Sequence, residues 1–214
     1  MARYAHVPGP TIRRLSLYLR ELEGLLAEGR ETVSSKQLGQ ALRVTDAQVR
    51  KDLAYFGQLG RPGVGYPVDP LIREVRGILG TDRLWPAVLV GAGNLGRALA
   101  AYRGFARRGF EIVAVFDSDP AVVGQGLGTA GELTVLPMSQ LPQVVRSGDI
   151  RIGIIAVPAP AAQNVAEQML DAGIRALLTF APAGLDVPHR VPVVSADLAI
   201  HLEQLAFQVA ELAT

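Results

Sequence analysis

The stretch Val88-Leu89-Val90-Gly91-Ala92-Gly93-Asn94-Leu95-Gly96 decides the fold. An apolar run ends in a glycine-rich turn, and the turn opens a helical pattern. Gly91, Gly93 and Gly96 have the G-x-G-x-x-G spacing of a dinucleotide-binding turn. Each glycine has its own task. Gly91 allows the tight strand-to-helix turn, Gly93 lets the backbone approach a pyrophosphate, and Gly96 lets the helix pack closely on the strand. The pyrophosphate then rests on unpaired N–H groups at the helix N-terminus, where the macrodipole favours negative charge. Gly91, Ala92, Gly93, Asn94, Leu95 and Gly96 are therefore the first cofactor-binding candidates.

Outward from the turn, the pattern is that of a parallel α/β sheet. Ala87–Gly91 is apolar on both faces, as a central parallel strand is. A helix is expected from Asn94 to about Arg108, stopped by Gly109, with Tyr102 on it and near a nicotinamide. Glu111–Phe116 is the second strand. It ends at Asp117, about twenty residues past Gly96, where a carboxylate accepts hydrogen bonds from the adenosine ribose and repels a 2′-phosphate. A Rossmann-like domain without nucleotide is the alternative. Further strands are expected at Leu133–Val135, Arg151–Val157, Ala176–Phe180 and Val191–Ser195, with helices at Met138–Ser147 and Ala161–Ala172. Loops beyond the strand ends, Val157-Pro158 and Phe180-Ala181-Pro182, should line the cleft, although a proline also simply ends a strand. The chain closes on an apolar helix, Asp197–Ala210, with Ser195 as its expected cap. This helix must bury itself on its own sheet or on a partner subunit.

Upstream, the charge balance differs. Residues 1–80 carry twelve Lys/Arg and eight Asp/Glu, while residues 81–214 carry nine and twelve, so a net +1 hides a basic beginning. Such a split fits a phosphate-bearing partner at one end, or ordinary scatter of surface charge. After a tail over residues 1–10, Ile12, Leu15, Leu19, Leu22, Leu25 and Leu26 follow helical spacing, with Thr11 as expected cap and Gly29 as the end. A short helix follows Ser34 or Ser35. A third, capped by Thr45, runs from Asp46 to Phe56. This is a helix-turn-helix over about 17–56, and Gly57–Pro67, with four glycines around Arg61, reads as a wing. Gln, Arg and Lys on the third helix are the types that reach base edges and phosphates. The DNA-binding candidates are Ser35, Thr45, Gln48, Arg50, Lys51, Tyr55 and Arg61. A small helical domain with a glycine loop is the alternative. Leu71, Ile72, Val75, Ile78 and Leu79 mark a linking helix, and Thr81–Pro86 is the expected boundary.

Composition narrows the chemistry. Apolar residues make up 49% and charged residues 19%, the balance of a packed globular protein. Cysteine is absent, which excludes disulfides, thiolate zinc sites and a cysteine nucleophile. No signal peptide follows Met1, and no segment reaches the roughly 18 apolar residues of a membrane span, so a cytoplasmic protein without metal or membrane attachment is expected. Hydride transfer needs an acid or base beside the substrate. His6 lies in the tail, His189 in a proline-bounded loop and His201 in the last helix, and both lysines, Lys36 and Lys51, are N-terminal. An enzyme is therefore not expected. Two alternatives stay open: an NAD-dependent oxidoreductase with an accessory helical domain, and a nucleotide-binding subunit whose N-terminus mediates assembly.

The ordered set Val49–Gly57, Gly63-Val64-Gly65-Tyr66, Gly91–Gly96 and Phe180-Ala181-Pro182 resembles the Rex redox-sensing transcriptional repressors of bacteria over nearly the whole chain. The resemblance implies a winged-helix DNA-binding domain over 1–80, a Rossmann NAD(H)-binding domain over 81–195 and a dimerisation helix over 196–214. It implies a homodimer with that helix swapped, bound to a palindromic operator, repressing genes of respiration and fermentation while NADH is low. By the same resemblance, NADH is expected to close the dimer and release DNA, with NAD⁺ competing without that effect. Arg20, Tyr102 and Asp197 match a switching triad, in which Asp197 pairs with Arg20 in the DNA-bound form and with Tyr102 when NADH is bound. Leu198 stands where the family often has Phe, and Thr179 where Asn is expected.

Overall fold

In the computed structural model, which describes residues 7–61, 63–128 and 131–212, the first helix, α1 (Gly9–Ala27), starts before Thr11. Most of the expected tail, His6 included, lies outside the described residues. Pro8 occupies the cap position and Pro10 sits in the first turn, where its missing N–H costs no hydrogen bond. Thr11 is thus not the cap. It is buried on the inner stripe with Leu15, Tyr18, Leu19 and Leu22. At the other end the Gly29 and Arg30 amides return to the carbonyls of Leu26 and Leu25, which closes the last turn.

The chain divides into two compact units, Met1–Arg83 and Leu84–Thr214. In the first, β1 (Thr32–Val33) leads into α2 (Ser35–Leu42). Ser34, not Ser35, is its cap. The Gln37 amide donates to the Ser34 hydroxyl at 3.1 Å, and the Gln37 side chain accepts from the Ser34 amide at 2.8 Å. A short turn leads to α3 (Asp46–Ala54), where the Thr45 hydroxyl accepts from the Gln48 amide. Beyond the wing, β2 (Tyr66–Pro67) pairs antiparallel with β1, and α4 (Val68–Leu79) follows directly. Arg61 and Gly65 bridge across the wing itself. Tyr18, Leu15, Leu22, Leu38, Val49, Leu53, Leu71 and Val75 fill the core of this unit.

The second unit is a doubly wound sheet. Its strands are β3 (Trp85–Val90), β4 (Phe110–Asp117), β5 (Gly126–Leu127), β6 (Leu133–Pro137), β7 (Ile152–Ile155), β8 (Ala176–Thr179) and β9 (Val193–Ser195). They lie in the order β5-β6-β4-β3-β7-β8-β9, all parallel except the β5–β6 pair. Val88 and Val90 face one core with Phe116, Ile155 and Met169, while Ala87 and Leu89 face another with Val115, Val135 and Ile154. The apolar run of β3 is what burial on both faces requires. The helices are α5 (Asn94–Ala100), α6 (Leu141–Ser147), α7 (Ala159–Ala172) and α8 (Leu198–Leu212).

Two expectations change here. The helix after the glycine turn stops at Ala100, and a 3₁₀ turn, Ala106–Arg108, replaces its expected second half. The Tyr102 ring packs onto Gly104, where a Cβ would lie 2.2 Å from the ring, and edge-on against Phe105. This packing, with the Phe110 amide bonded to the Phe105 carbonyl, outweighs helix propensity. At the last helix Asp197, not Ser195, is the cap. Its Oδ1 accepts from the Ala199 amide at 2.9 Å, while Ser195 is still within β9.

Candidate functional site

Chain order reverses between β3 and β7, so the crevice beyond their carboxyl ends is the place where an open α/β sheet binds ligands. Gly91 leaves β3 with φ at +107°, and a Cβ there would lie 2.4 Å from the Ala156 carbonyl oxygen beyond β7. At Gly96 a Cβ would lie 1.8 Å from the Gly91 carbonyl oxygen, so only hydrogen fits between helix and turn. Gly93 differs, because nothing stands within 4 Å of its Cβ position. The turn is thus tight at its two ends and open in the middle, which fits a bulky anion laid against Gly93 and the first-turn amides of α5.

Asp117 closes this site. Its Oδ2 accepts from the Ala92 amide at 2.7 Å and its Oδ1 from the Asp119 amide at 2.9 Å, so the carboxylate is fixed beside the turn. Gly91, Ala92, Gly93, Asn94, Leu95, Gly96 and Asp117 are therefore brought together. Pro158, at the cap position of α7, follows Ala156 and Val157 off the end of β7. Tyr102 is not brought to them. It lies past the far end of α5 in a small cleft with Phe110 and Glu111, the first residues of β4, whereas Asp117 is the last. Tyr102 is 60% exposed. Among the described residues no group of three or more His, Asp or Glu is gathered as a metal site would require.

The helix–wing face of the first unit is the second site. Ser35, Arg50 and Arg61 line one cleft of about 710 Å³ with Gly57, Gly65 and Tyr66. The Arg50 guanidinium donates to Asp46 at 2.7 Å and to the Ser35 hydroxyl at 3.1 Å, which ties α3 to the start of α2. Lys51 and Arg61 are exposed, and Tyr55 packs against Phe56. Thr45 is engaged as the α3 cap. Gln48 is turned inward and donates to Asp52 at 2.9 Å, where it was expected among the outward polar groups.

Asp52 is the residue that pattern reading missed. It is 0% exposed and accepts hydrogen bonds from Thr11, Arg14, Tyr18 and Gln48. Arg14 grips it with two nitrogens, at 2.5 and 2.7 Å. Its signal was available: an acid in the apolar stripe of Val49, Leu53 and Phe56, facing Thr11, Arg14 and Tyr18 at helical spacing on α1. Burial pushes the Asp52 carboxyl up, but its donors, Arg14 foremost, outweigh burial and hold it below the ordinary value. Burial, aided by Asp52, drives the Tyr18 hydroxyl above its ordinary value. The depressed carboxyl stabilises the fold above the unfolded value of about 4, and this contribution is lost as pH falls through the lower folded value. The raised phenol contributes below about 10, and its contribution is lost as pH rises through the higher folded value. Thermal unfolding against pH should therefore show an acid-side loss that is smaller in Asp52→Asn, and an alkaline loss that is smaller in Tyr18→Phe.

Comparison with known proteins follows the same division. Residues 6–54 match the family described as "Putative DNA-binding protein N-terminus", and residues 82–183 match the CoA binding domain family. The redox-sensing transcriptional repressor Rex of Carboxydothermus hydrogenoformans is 51% identical over 203 residues, covering 95% of this chain and 96% of that protein. The Rex repressor of Chloroflexus aggregans is 46% identical over 210 residues, covering 98% of each. Among solved structures, the Rex-family repressor RSP in complex with NAD⁺ and operator DNA superposes with a TM-score of 0.90 at 34% identity, covering 97% of this chain and 94% of that one. RSP in complex with NADH gives 0.87 at 32% identity, covering 98% and 97%. The relatives are named as repressors and not as dehydrogenases, which removes the oxidoreductase alternative. A glycine turn clasped by Asp117, a winged-helix unit ahead of it and about half the residues shared along nearly the whole length give one conclusion: the chain belongs to the Rex family of redox-sensing transcriptional repressors.

Proposed function

We propose that the protein binds palindromic operator DNA as a homodimer and leaves it when NADH fills the crevice. The observation that carries the nucleotide half is the Asp117 carboxylate held against the Ala92 amide beside the open Gly93. Gly91–Gly96 would cradle the pyrophosphate, Asp117 would take the ribose hydroxyls, and Pro158 would border the crevice. The bound dinucleotide supplies a difference in charge, because the oxidised nicotinamide ring carries a positive charge that the reduced ring lacks. An apolar pocket penalises that charge. A ligand moves a two-state dimer only by its differential affinity, and a 1:99 to 99:1 switch needs about 5.5 kcal/mol.

The partners follow from the surfaces. Lys51, Arg50, Arg61, Ser35, Thr45, Gln48 and Tyr55 are proposed for the DNA face, α3 entering the major groove and the wing the adjacent minor groove. Apolar side chains run along α8 in solvent, Leu198 at 68% and Leu212 at 87% exposed among them, and a second copy of the chain would cover them. Two copies related by a twofold axis read a palindrome. Arg20, exposed on α1, and Asp197, at the start of α8, are proposed with Tyr102 as the switching set. No helix among the described residues is long and apolar enough to cross a membrane. A cytoplasmic location is proposed because operator DNA and the NAD(H) pool meet there.

Two variants separate the two faces. Lys51→Ala should weaken binding to a palindromic duplex by about tenfold, the value of one charge-assisted contact, and leave NADH affinity unchanged. Asp117→Ala should do the reverse, lowering NADH affinity by about tenfold or more while operator affinity without nucleotide is kept. Fluorescence titration with NADH and a gel-shift series read both. Loss of both activities in either variant would contradict the division of labour.

A further inference from the structure

Arg43 breaks a backbone rule in the turn between α2 and α3. Its φ and ψ are +55° and +41°, the left-handed conformation that closes α2. Glycine is the usual residue there, because a side chain at that φ is strained. The turn holds Arg43 in place nonetheless. Its amide donates to the Gln40 carbonyl at 3.3 Å, and the Val44 amide to the Gly39 carbonyl at 2.9 Å. Gly39 itself admits no side chain, since a Cβ would lie 2.7 Å from the Val44 carbonyl oxygen. Among the described residues, Asp149 is the other non-glycine with positive φ. Aspartate visits this conformation more readily, and the Asp149 carboxylate accepts two hydrogen bonds from Arg151. Arg43 has no such use inside the fold. It is exposed, and no hydrogen bond or ion pair ties its guanidinium to a described residue.

The position of the turn supplies a use. Arg43 lies two residues before Thr45, the cap of α3. In a helix-turn-helix the first helix crosses the phosphate backbone, and the second enters the major groove by its N-terminal end. The turn that joins them lies at the rim of the groove, beside the phosphates. Contact with a phosphate asks for charge and proximity, not for one fixed side-chain direction. The nearby Arg50 is already matched to Asp46 at 2.7 Å. We propose that Arg43 is a phosphate contact that steadies α3 in the groove, and that its charge is the reason an arginine stands in a turn suited to glycine. This rests on the DNA-binding reading of α3 and adds an anchor outside that helix and the wing.

The test uses the full-length protein, a palindromic duplex selected from a randomised pool, and a scrambled duplex beside it. Arg43→Gly removes the charge and relaxes the backbone, whereas Arg43→Lys keeps the charge. Arg43→Gly should keep or raise the thermal midpoint, yet bind both duplexes about tenfold more weakly at low salt. The slope of log affinity against log salt should shrink by about 0.9, one phosphate's share, while Arg43→Lys stays near the wild-type slope. The affinity ratio between the two duplexes should not change, because a phosphate carries no sequence. A smaller folded fraction shifts affinity and not slope, and Arg43→Asn, which also tolerates the left-handed turn, repeats the measurement if Arg43→Gly folds poorly. A wild-type slope and affinity in Arg43→Gly would overturn the proposal, because the guanidinium then serves only the carboxyl end of α2. So would a fall in the ratio between duplexes, which marks a base contact. If wild type selects no duplex at all, the DNA-binding reading itself fails and the anchor with it, a result distinct from an unchanged slope in Arg43→Gly.

Discussion

Gly96→Ala is expected to abolish NADH binding and to destabilise the nucleotide unit by about 3 kcal/mol or more, the upper range for overpacking. The added methyl would lie 1.8 Å from the Gly91 carbonyl oxygen and 2.9 Å from its carbon. Both are backbone atoms of the turn, so no side chain can swing aside. Either α5 lifts from β3 or the turn opens, and both displace the amides proposed to hold the pyrophosphate. Gly93→Ala is the comparison. Its Cβ meets nothing within 4 Å, so stability should be kept while NADH affinity falls, because the methyl then fills the space left for ligand. Thermal unfolding and NADH titration on both variants check this. A Gly96→Ala protein of wild-type stability and affinity would contradict the packing described.

Asp52→Ala is expected to cost about 3–5 kcal/mol of stability in the N-terminal unit and to remove operator binding, since breaking one side of a buried ion pair leaves the other uncompensated. Arg14, Tyr18, Thr11 and Gln48 would all lose their acceptor together. The pairs join α1 to α3, so the loss acts on the seating of the helix proposed to face DNA. Arg50→Ala, by comparison, removes an exposed pair with Asp46 that contributes little to stability. Chemical denaturation followed alongside operator affinity distinguishes the two, and a stable Asp52→Ala protein would show that the network is dispensable.

The legible parts of this chain were those where one residue type has one physical use. Gly91 and Gly96 sit where a Cβ would strike backbone, and Asp117 ends a strand beside them, so spacing alone located the crevice. Thr45 at a helix start was equally direct. The strands β1 and β5 were not legible, because two residues are too few to show alternation. The early end of α5 was hidden because it depends on the Tyr102 ring meeting Gly104, a contact that helical propensity does not contain. Thr11 read as a cap from its place before an apolar stripe, but the structure uses its hydroxyl for Asp52. Gln48 was expected to face outward by residue type alone. Its inward turn depends on a carboxylate buried in the same stripe, and seeing that needed α1 and α3 packed together.

The most direct measurement of the central reading is a gel-shift assay with the wild-type protein on a palindromic duplex, titrated separately with NADH and NAD⁺. Release by NADH at concentrations where NAD⁺ leaves the complex intact is the predicted result. Release by both nucleotides alike, or by neither, would contradict it.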